Sequence, residues 1–190
     1  MNECERELRR ILRANDWCMT VLAAVRDCDP PDWLVGGGVI RSTVWDHLHG
    51  YDAPTPLADV DVAFFDPQDL RPERDAAVQS QLRGRLPEVP WQAKNQAAVH
   101  LWYAERFVQA VPPLTSIEDA IGTWPETATC VAVRLQADGG LRVVAPFGLE
   151  DLFAPVLRRN PRRVTLAQFR QRLQEKGIRQ KWPGVRVIDG

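Results

Sequence analysis

Hydrophobic positions along the chain follow two periods, and the change from one to the other marks its elements. Between residues 3 and 27, Leu8, Ile11, Leu12, Met19, Leu22, Ala23 and Val25 recur every three or four residues, the stripe of an amphipathic helix. Asn15 and Asp16 interrupt it, which predicts two helices with Asp16 as the second cap. Asp29-Pro30-Pro31-Asp32 then stops helical growth, because Pro lacks an N–H and restricts its predecessor. Residues 33–35 read as a short buried strand, Gly36 to Gly38 as a turn, and 39–49 as a helix closed by Gly50. The period drops to two at residues 60–65, where Val60, Val62 and Phe64 share one side of a strand.

A charged amphipathic helix is predicted at 72–86, a strand at 89–94 and a stretch of mixed type at 97–107, followed by a Pro-containing loop. Ser116 caps a short helix at 116–122. Strands at 128–135 and 141–145 are joined by the hairpin turn Asp138-Gly139-Gly140. A helical turn at 149–153 and a helix at 166–176 complete the pattern, with no internal repeat or low-complexity tract.

With 45% hydrophobic residues, the 190-residue chain has material for a packed core and is expected to form one domain. A net charge of -1 excludes a molecule that attracts nucleic acid over its whole surface. The local basic run Arg158, Arg159, Arg162, Arg163 reads as a solvated face. Cys4, Cys18, Cys28 and Cys130 lack CxxC spacing and argue against zinc. The N-terminal residues carry no apolar leader, and no apolar run approaches the roughly 20 residues that span a bilayer. The expected setting is cytoplasmic, with reduced thiols and no membrane partner.

The candidate chemistry sits in two short runs. Gly36, Gly37 and Gly38 lie between a strand and a helix, where the backbone can approach a ligand and the helix N-terminus presents free N–H groups. The run matches neither G-x-G-x-x-G nor a P-loop, so alone it is equally a tight turn. Asp59 and Asp61, two apart, put carboxylates on one strand face, where they repel unless a cation lies between them. Mg²⁺ takes such oxygen ligands together with substrate phosphates. Alone, the same spacing also suits a loop cap beside one solvent-facing Asp. Taken together, the glycine turn would hold a triphosphate and the strand would hold the metals that bridge its oxygens. Arg41, on the first turn of the helix, reaches the same phosphates through a planar fork.

This order resembles the DNA polymerase β-type nucleotidyltransferase superfamily. More closely, the chain resembles a bacterial nucleotidyltransferase-like family through five runs: G-G-G-V-I-R-S-T-V-W-D-H-L-H-G at 36–50, P-L-A-D-V-D-V at 56–62, W-Q-A-K-N-Q-A at 91–97, W-P-E-T-A-T at 124–129, and A-P-F-G-L-E-D-L-F at 145–153. Nearly the whole chain is covered. The resemblance implies an α/β (α+β) fold: a small mixed nucleotidyltransferase sheet over a core at 32–153, with helical flanks at 1–31 and 154–190. It implies catalytic and metal-holding roles for Asp59 and Asp61 with Mg²⁺ or Mn²⁺, and nucleotide contacts from Gly36, Gly37, Gly38, Arg41, Lys94 and Asn95. Trp45 could shelve a base, and Glu126 could cap a turn or wall the pocket.

The superfamily's third carboxylate falls on the strand around 91–94, where this chain has Gln92; Glu88 is the other candidate. The expected activity is transfer of a nucleotidyl group from an NTP to an acceptor (a small molecule, an RNA end or a protein) with release of pyrophosphate. The alternative is a nucleotide-binding or regulatory module without catalysis, because an amide cannot serve as a general base.

Overall fold

The computed structural model describes residues 2–107 and 110–189. Two helices open the chain, α1 (Glu3–Arg13) and α2 (Asp16–Cys28). Asn2 and Asn15 cap them by accepting the amides of Glu5 and Cys18. The second cap is therefore Asn15 and not Asp16. Asn15 keeps the extended backbone a cap requires, while Asp16 already lies in the first turn, where its charge suits the helix dipole.

Five strands form the main sheet in the order β3-β2-β1-β4-β5. They are β1 (Leu34–Gly36), β2 (Val60–Phe64), β3 (Trp91–Asn95), β4 (Ala132–Leu135) and β5 (Leu141–Val144). The central β1 runs antiparallel to both β2 and β4. Helix α3 (Gly38–Leu48) links β1 to β2, and α4 (Pro72–Arg85) makes the crossover that lets β3 run parallel to β2. The β4–β5 hairpin is the one its turn sequence predicts.

Alternation divides the sheet as expected. Val60, Val62 and Phe64 enter a core shared with residues of α1 to α4. Leu34, Ala63 and Ala132, on the other face, pack against Ile117 and Ile121 of α6 (Ile117–Ile121), which Ser116 caps. Asp61 has the parity of Ala63, so it lies on this second face, at the end of the sheet where β1 runs into α3.

The stretch at 97–107 resolves into a 3-10 turn (Gln96–Ala98) and α5 (Val99–Phe107). The loop after it is described from Ala110, and residues 108 and 109 lie outside the described residues. The predicted strand at 128–135 begins only at Ala132. Glu126 and Thr129 close a capping box that curls residues 127–129 into a 3-10 turn.

The C-terminal flank is more than helical. After α7 (Glu150–Phe153), strand β6 (Val156–Arg158) pairs in parallel with β7 (Arg186–Ile188). Between them lie α8 (Leu166–Lys176) and α9 (Ile178–Lys181). Three-residue strands are too short for periodicity to reveal. The basic run is also not a free solvated face. Arg158 pairs with Asp151, Arg162 with Asp119, and buried Arg163 lies 5.3 Å from the Tyr103 ring. All four cysteines are free thiols. Among the described residues, no helix is long and apolar enough to cross a membrane.

Candidate active site

The glycine turn and the aspartates meet at the end of β1. Gly36 stands opposite Asp61 on one side and Ala132 on the other. A Cβ on Gly36 would lie 2.6 Å from the Ala132 Cβ and 2.8 Å from the Val131 carbonyl, so this glycine is required by sheet packing. Gly37 has φ +64°, and a Cβ there would lie 3.2 Å from Asp61 Oδ2. The turn therefore passes directly over the aspartate. Nothing lies within 4 Å of a Cβ on Gly38, the first residue of α3. The Gly37 N–H donates to the Val131 carbonyl, and the free N–H groups that open α3, at its positive dipole end, begin with Gly38.

Asp59 immediately precedes β2, which begins at Val60, and three cations, Arg41, Arg172 and Lys176, act on the charge of Asp61 beside it. Lys176 Nζ lies 3.7 Å from Asp59 Oδ2. The Asp61 carboxyl is pushed up to about 6, first by burial and then by the charge of Asp59, against the opposing pull of Arg172, Lys176 and Arg41. Arg41 is only 7% exposed. Its guanidinium carbon lies 5.3 Å from the Trp45 ring and 5.4 Å from the Trp182 ring, and its Nε is buried without a partner. Burial lowers its affinity for its proton, and Glu126 is the strongest opposing influence.

Glu126 is a buried carboxylate with two partners. Arg172 Nε donates to Oε1 at 2.6 Å, and Thr129 Oγ1 donates to Oε2 at 2.8 Å. Of the two roles left open for it, the structure shows the cap: Glu126 closes the 127–129 turn and holds Arg172, and it lines neither cavity of the site. Trp45 is fully buried, donates from Nε1 to the Leu152 carbonyl at 2.8 Å, and meets Trp182 edge to face at 5.3 Å. Trp45 thus supports Arg41 and offers no shelf to a base.

On β3, Gln92 is the register partner of Asp61. Neighbouring strands lie about 4.8 Å apart, and paired residues point to one face, so Gln92 occupies the position beside Asp61 and Glu88 does not. Glu88 is exposed in the turn before β3. Among the described residues, no group of three or more His, Cys, Asp or Glu comes together as a metal site.

Lys94 shares the open face of β3 with Gln92, and its Nζ lies 3.0 Å from Asp75 Oδ2. Asn95 points the other way and is 2% exposed. Its amide donates to the carbonyls of Asp66 and Asp69, and its oxygen accepts the amides of Asp66 and Ala97. This side chain closes the 66–69 loop and has little capacity left for a ligand. Between Asp61, Gln92 and Trp124 lies a cavity of about 190 Å³. It shares Gln92, Lys94 and Trp124 with a cleft of about 580 Å³ that runs between α5 and α8.

Residues Arg172 and Lys176 were not legible as site residues. The pattern predicts their helix, and they stand four apart on one face of it, but no local signal says which distant surface that face meets.

No curated protein sequence matches the chain. Among solved structures, an NMR structure described as revealing a CCA-adding enzyme head domain superposes with a TM-score of 0.79 at 26% identity, covering 97% of this chain and 96% of that one. A CCA-adding enzyme in complex with CTP superposes with a TM-score of 0.57 at 11% identity. That alignment covers 96% of this chain and 43% of the enzyme, so the likeness concerns the fold of less than half of it. A family model described as nucleotidyltransferase matches residues 23–187. The expected α/β fold with a small mixed nucleotidyltransferase sheet is thus the fold observed, and the chain belongs to the nucleotidyltransferase family.

Proposed function

We propose that the chain is a cytoplasmic, divalent-metal-dependent nucleotidyltransferase that works as one domain over residues 1–190. It would bind an NTP at the glycine turn and pass its nucleotidyl group to an acceptor. The observation that supports this reading is the closeness of Gly37 to Asp61, where an added Cβ would lie 3.2 Å from Oδ2: a glycine turn suited to phosphate and an acidic pair lie within one ligand's reach. The donor set suits a hard cation. Asp59 and Asp61 would supply carboxylate oxygens and Gln92 an amide oxygen, and burial together with the charge of Asp59 raises the Asp61 carboxyl, a charge that a cation would relieve. Asp59 and Asp61 would hold Mg²⁺ or Mn²⁺, which when bound neutralises charge on the phosphates.

The remaining work belongs to the chain. The Gly36–Gly38 backbone and the α3 N-terminus orient the phosphates, with Arg41 fixed behind them by its two indole rings. Lys94 stands at the mouth of the cleft, and Asn95 serves the site by holding the β3 end in place. The acceptor oxygen forms its bond to the α-phosphorus as the bond to the β-phosphate breaks, and pyrophosphate leaves. The acceptor's proton passes to solvent, since Gln92 cannot take it. CTP, named in the solved complex above, is the first nucleotide to test, and an RNA end stands beside small molecules and proteins among acceptors.

The experiment is calorimetric titration with each of the four NTPs, with and without Mg²⁺, followed by assay of pyrophosphate release. Nucleotide binding in Mg²⁺ that is lost in Asp59→Asn supports the site. A chain that binds no NTP refutes it. A second reading, a nucleotide-binding module without catalysis, is favoured by the amide of Gln92 beside Asp61. Tight NTP binding without pyrophosphate release would select it.

A further inference from the structure

The C-terminal helix brings charge to the acid pair without the geometry of closed salt bridges. Lys176 lies 3.7 Å from Asp59, beyond hydrogen-bond distance, and its side chain is about one third exposed. Arg172 spends its Nε on Glu126 and lines the large cleft. Arg41 takes part in neither ion pair of the site and keeps a buried, unpartnered Nε. These are three cations converging on two carboxylates. Two of the three are held by groups other than those carboxylates: Arg41 by indole rings and Arg172 by Glu126.

We infer that Arg41, Arg172 and Lys176 form a seat for the β- and γ-phosphates, so that α8 reads the length of the phosphate tail. This rests on the NTP reading above and adds to it the residues that separate a triphosphate from a monophosphate. Glu126 acts as a positioning residue, since it aims Arg172 and never meets the ligand. Its buried carboxylate fixes Nε and leaves the two terminal nitrogens to face an anion in a planar fork. Arg172 and Lys176 lie one helical turn apart and so present two charges along one line. The helix that carries them is anchored by Phe169, which is fully buried, and ends at Gly177 with φ +58°. Trp182, just beyond it, supplies one of the rings around Arg41. The same segment therefore delivers two cations and immobilises the third. In the absence of a ligand, Arg172 and Lys176 also offset the charge of the acids they would leave free to hold a metal.

The test titrates CTP, CDP and CMP, in Mg²⁺, into the full chain and its Arg172→Gln and Lys176→Gln variants; any other NTP that binds more tightly replaces CTP together with its own di- and monophosphate. Each substitution should weaken the triphosphate roughly 10- to 100-fold, the range for a hydrogen bond to a charged group. The diphosphate should lose less and the monophosphate almost nothing. Arg172→Lys keeps a charge against Glu126 and should restore part of the loss, which separates ligand contact from a disturbed fold. Equal losses for all three nucleotides, or no loss for the triphosphate, would overturn the inference while leaving the NTP site standing. A wild-type chain that binds none of them would overturn both.

Discussion

Replacing Asp61 with Asn should make the ligand-free protein more stable, and the gain should depend on pH. Asp61 is pushed from 3.8 up to about 6 by burial and by Asp59. Between those values the native state holds a proton that the unfolded chain has lost, so stability falls as pH rises from about 4 through 6 and then levels off. The shift is about two pK units, which at 1.36 kcal/mol per unit is worth about 3 kcal/mol above pH 7. Asn has the shape of the protonated acid and cannot ionise. The gain should therefore be close to zero at pH 4 and reach about 2–3 kcal/mol at pH 7.5, or roughly 5–10 °C in melting temperature for a chain of this size. Urea titrations of both proteins at pH 4, 5, 6 and 7.5, in EDTA, measure it. A gain of the same size at every pH, or a loss at pH 7.5, would refute the account of a buried, repelled carboxyl. Adding Mg²⁺ at pH 7.5 should stabilise the wild type and leave the variant unmoved.

The same titration makes metal affinity rise with pH through about 6, because the cation must displace the Asp61 proton; calorimetry at pH 5.5 and 7.5 checks the direction. Gly37→Ala combines φ +64° and ψ -123°, a conformation outside even the left-handed helical region, with a methyl 3.2 Å from Asp61 Oδ2, and should cost about 1–3 kcal/mol of stability as well as nucleotide binding. Gly38→Ala meets nothing within 4 Å, so its melting temperature should hold while NTP affinity falls, because only a ligand would touch the new methyl. Gln92→Glu places a carboxylate in register with Asp61. If general-base help is what the chain lacks, pyrophosphate release should rise toward the usual gain of about 10²–10⁴-fold; an unchanged rate would show that the acceptor is activated elsewhere.

Local period and turn chemistry made most elements legible. The alternation of Val60, Val62 and Phe64 assigned their face and hence that of Asp61, and the Gly run located the turn above it. The sequence left Gln92 and Glu88 both open, and only the pairing of β3 with β2 puts Gln92 in register with Asp61. What stayed hidden depends on contacts between distant segments. Trp45 and Asn95 have the composition of pocket residues, but the hydrogen bonds that tie them to the fold come from residue 152 and from the 66–69 loop. Arg172 and Lys176 look like any exposed pair on an amphipathic helix until tertiary packing turns them toward residues 59 and 61. Strands β6 and β7 are three residues each and meet across α8 and α9, a pairing no sequence window spans.

That last pairing orders events during synthesis. The glycine turn and both aspartates leave the ribosome early and can pair as β1 and β2, yet they would do so as a bare acidic ledge. Arg172, Lys176 and Trp182 are made more than a hundred residues later, and β7 fastens their segment only when Ile188 reaches β6. A chain without β7 would thus keep the glycine turn and both aspartates but lose the strand that fastens the segment carrying Arg172, Lys176 and Trp182.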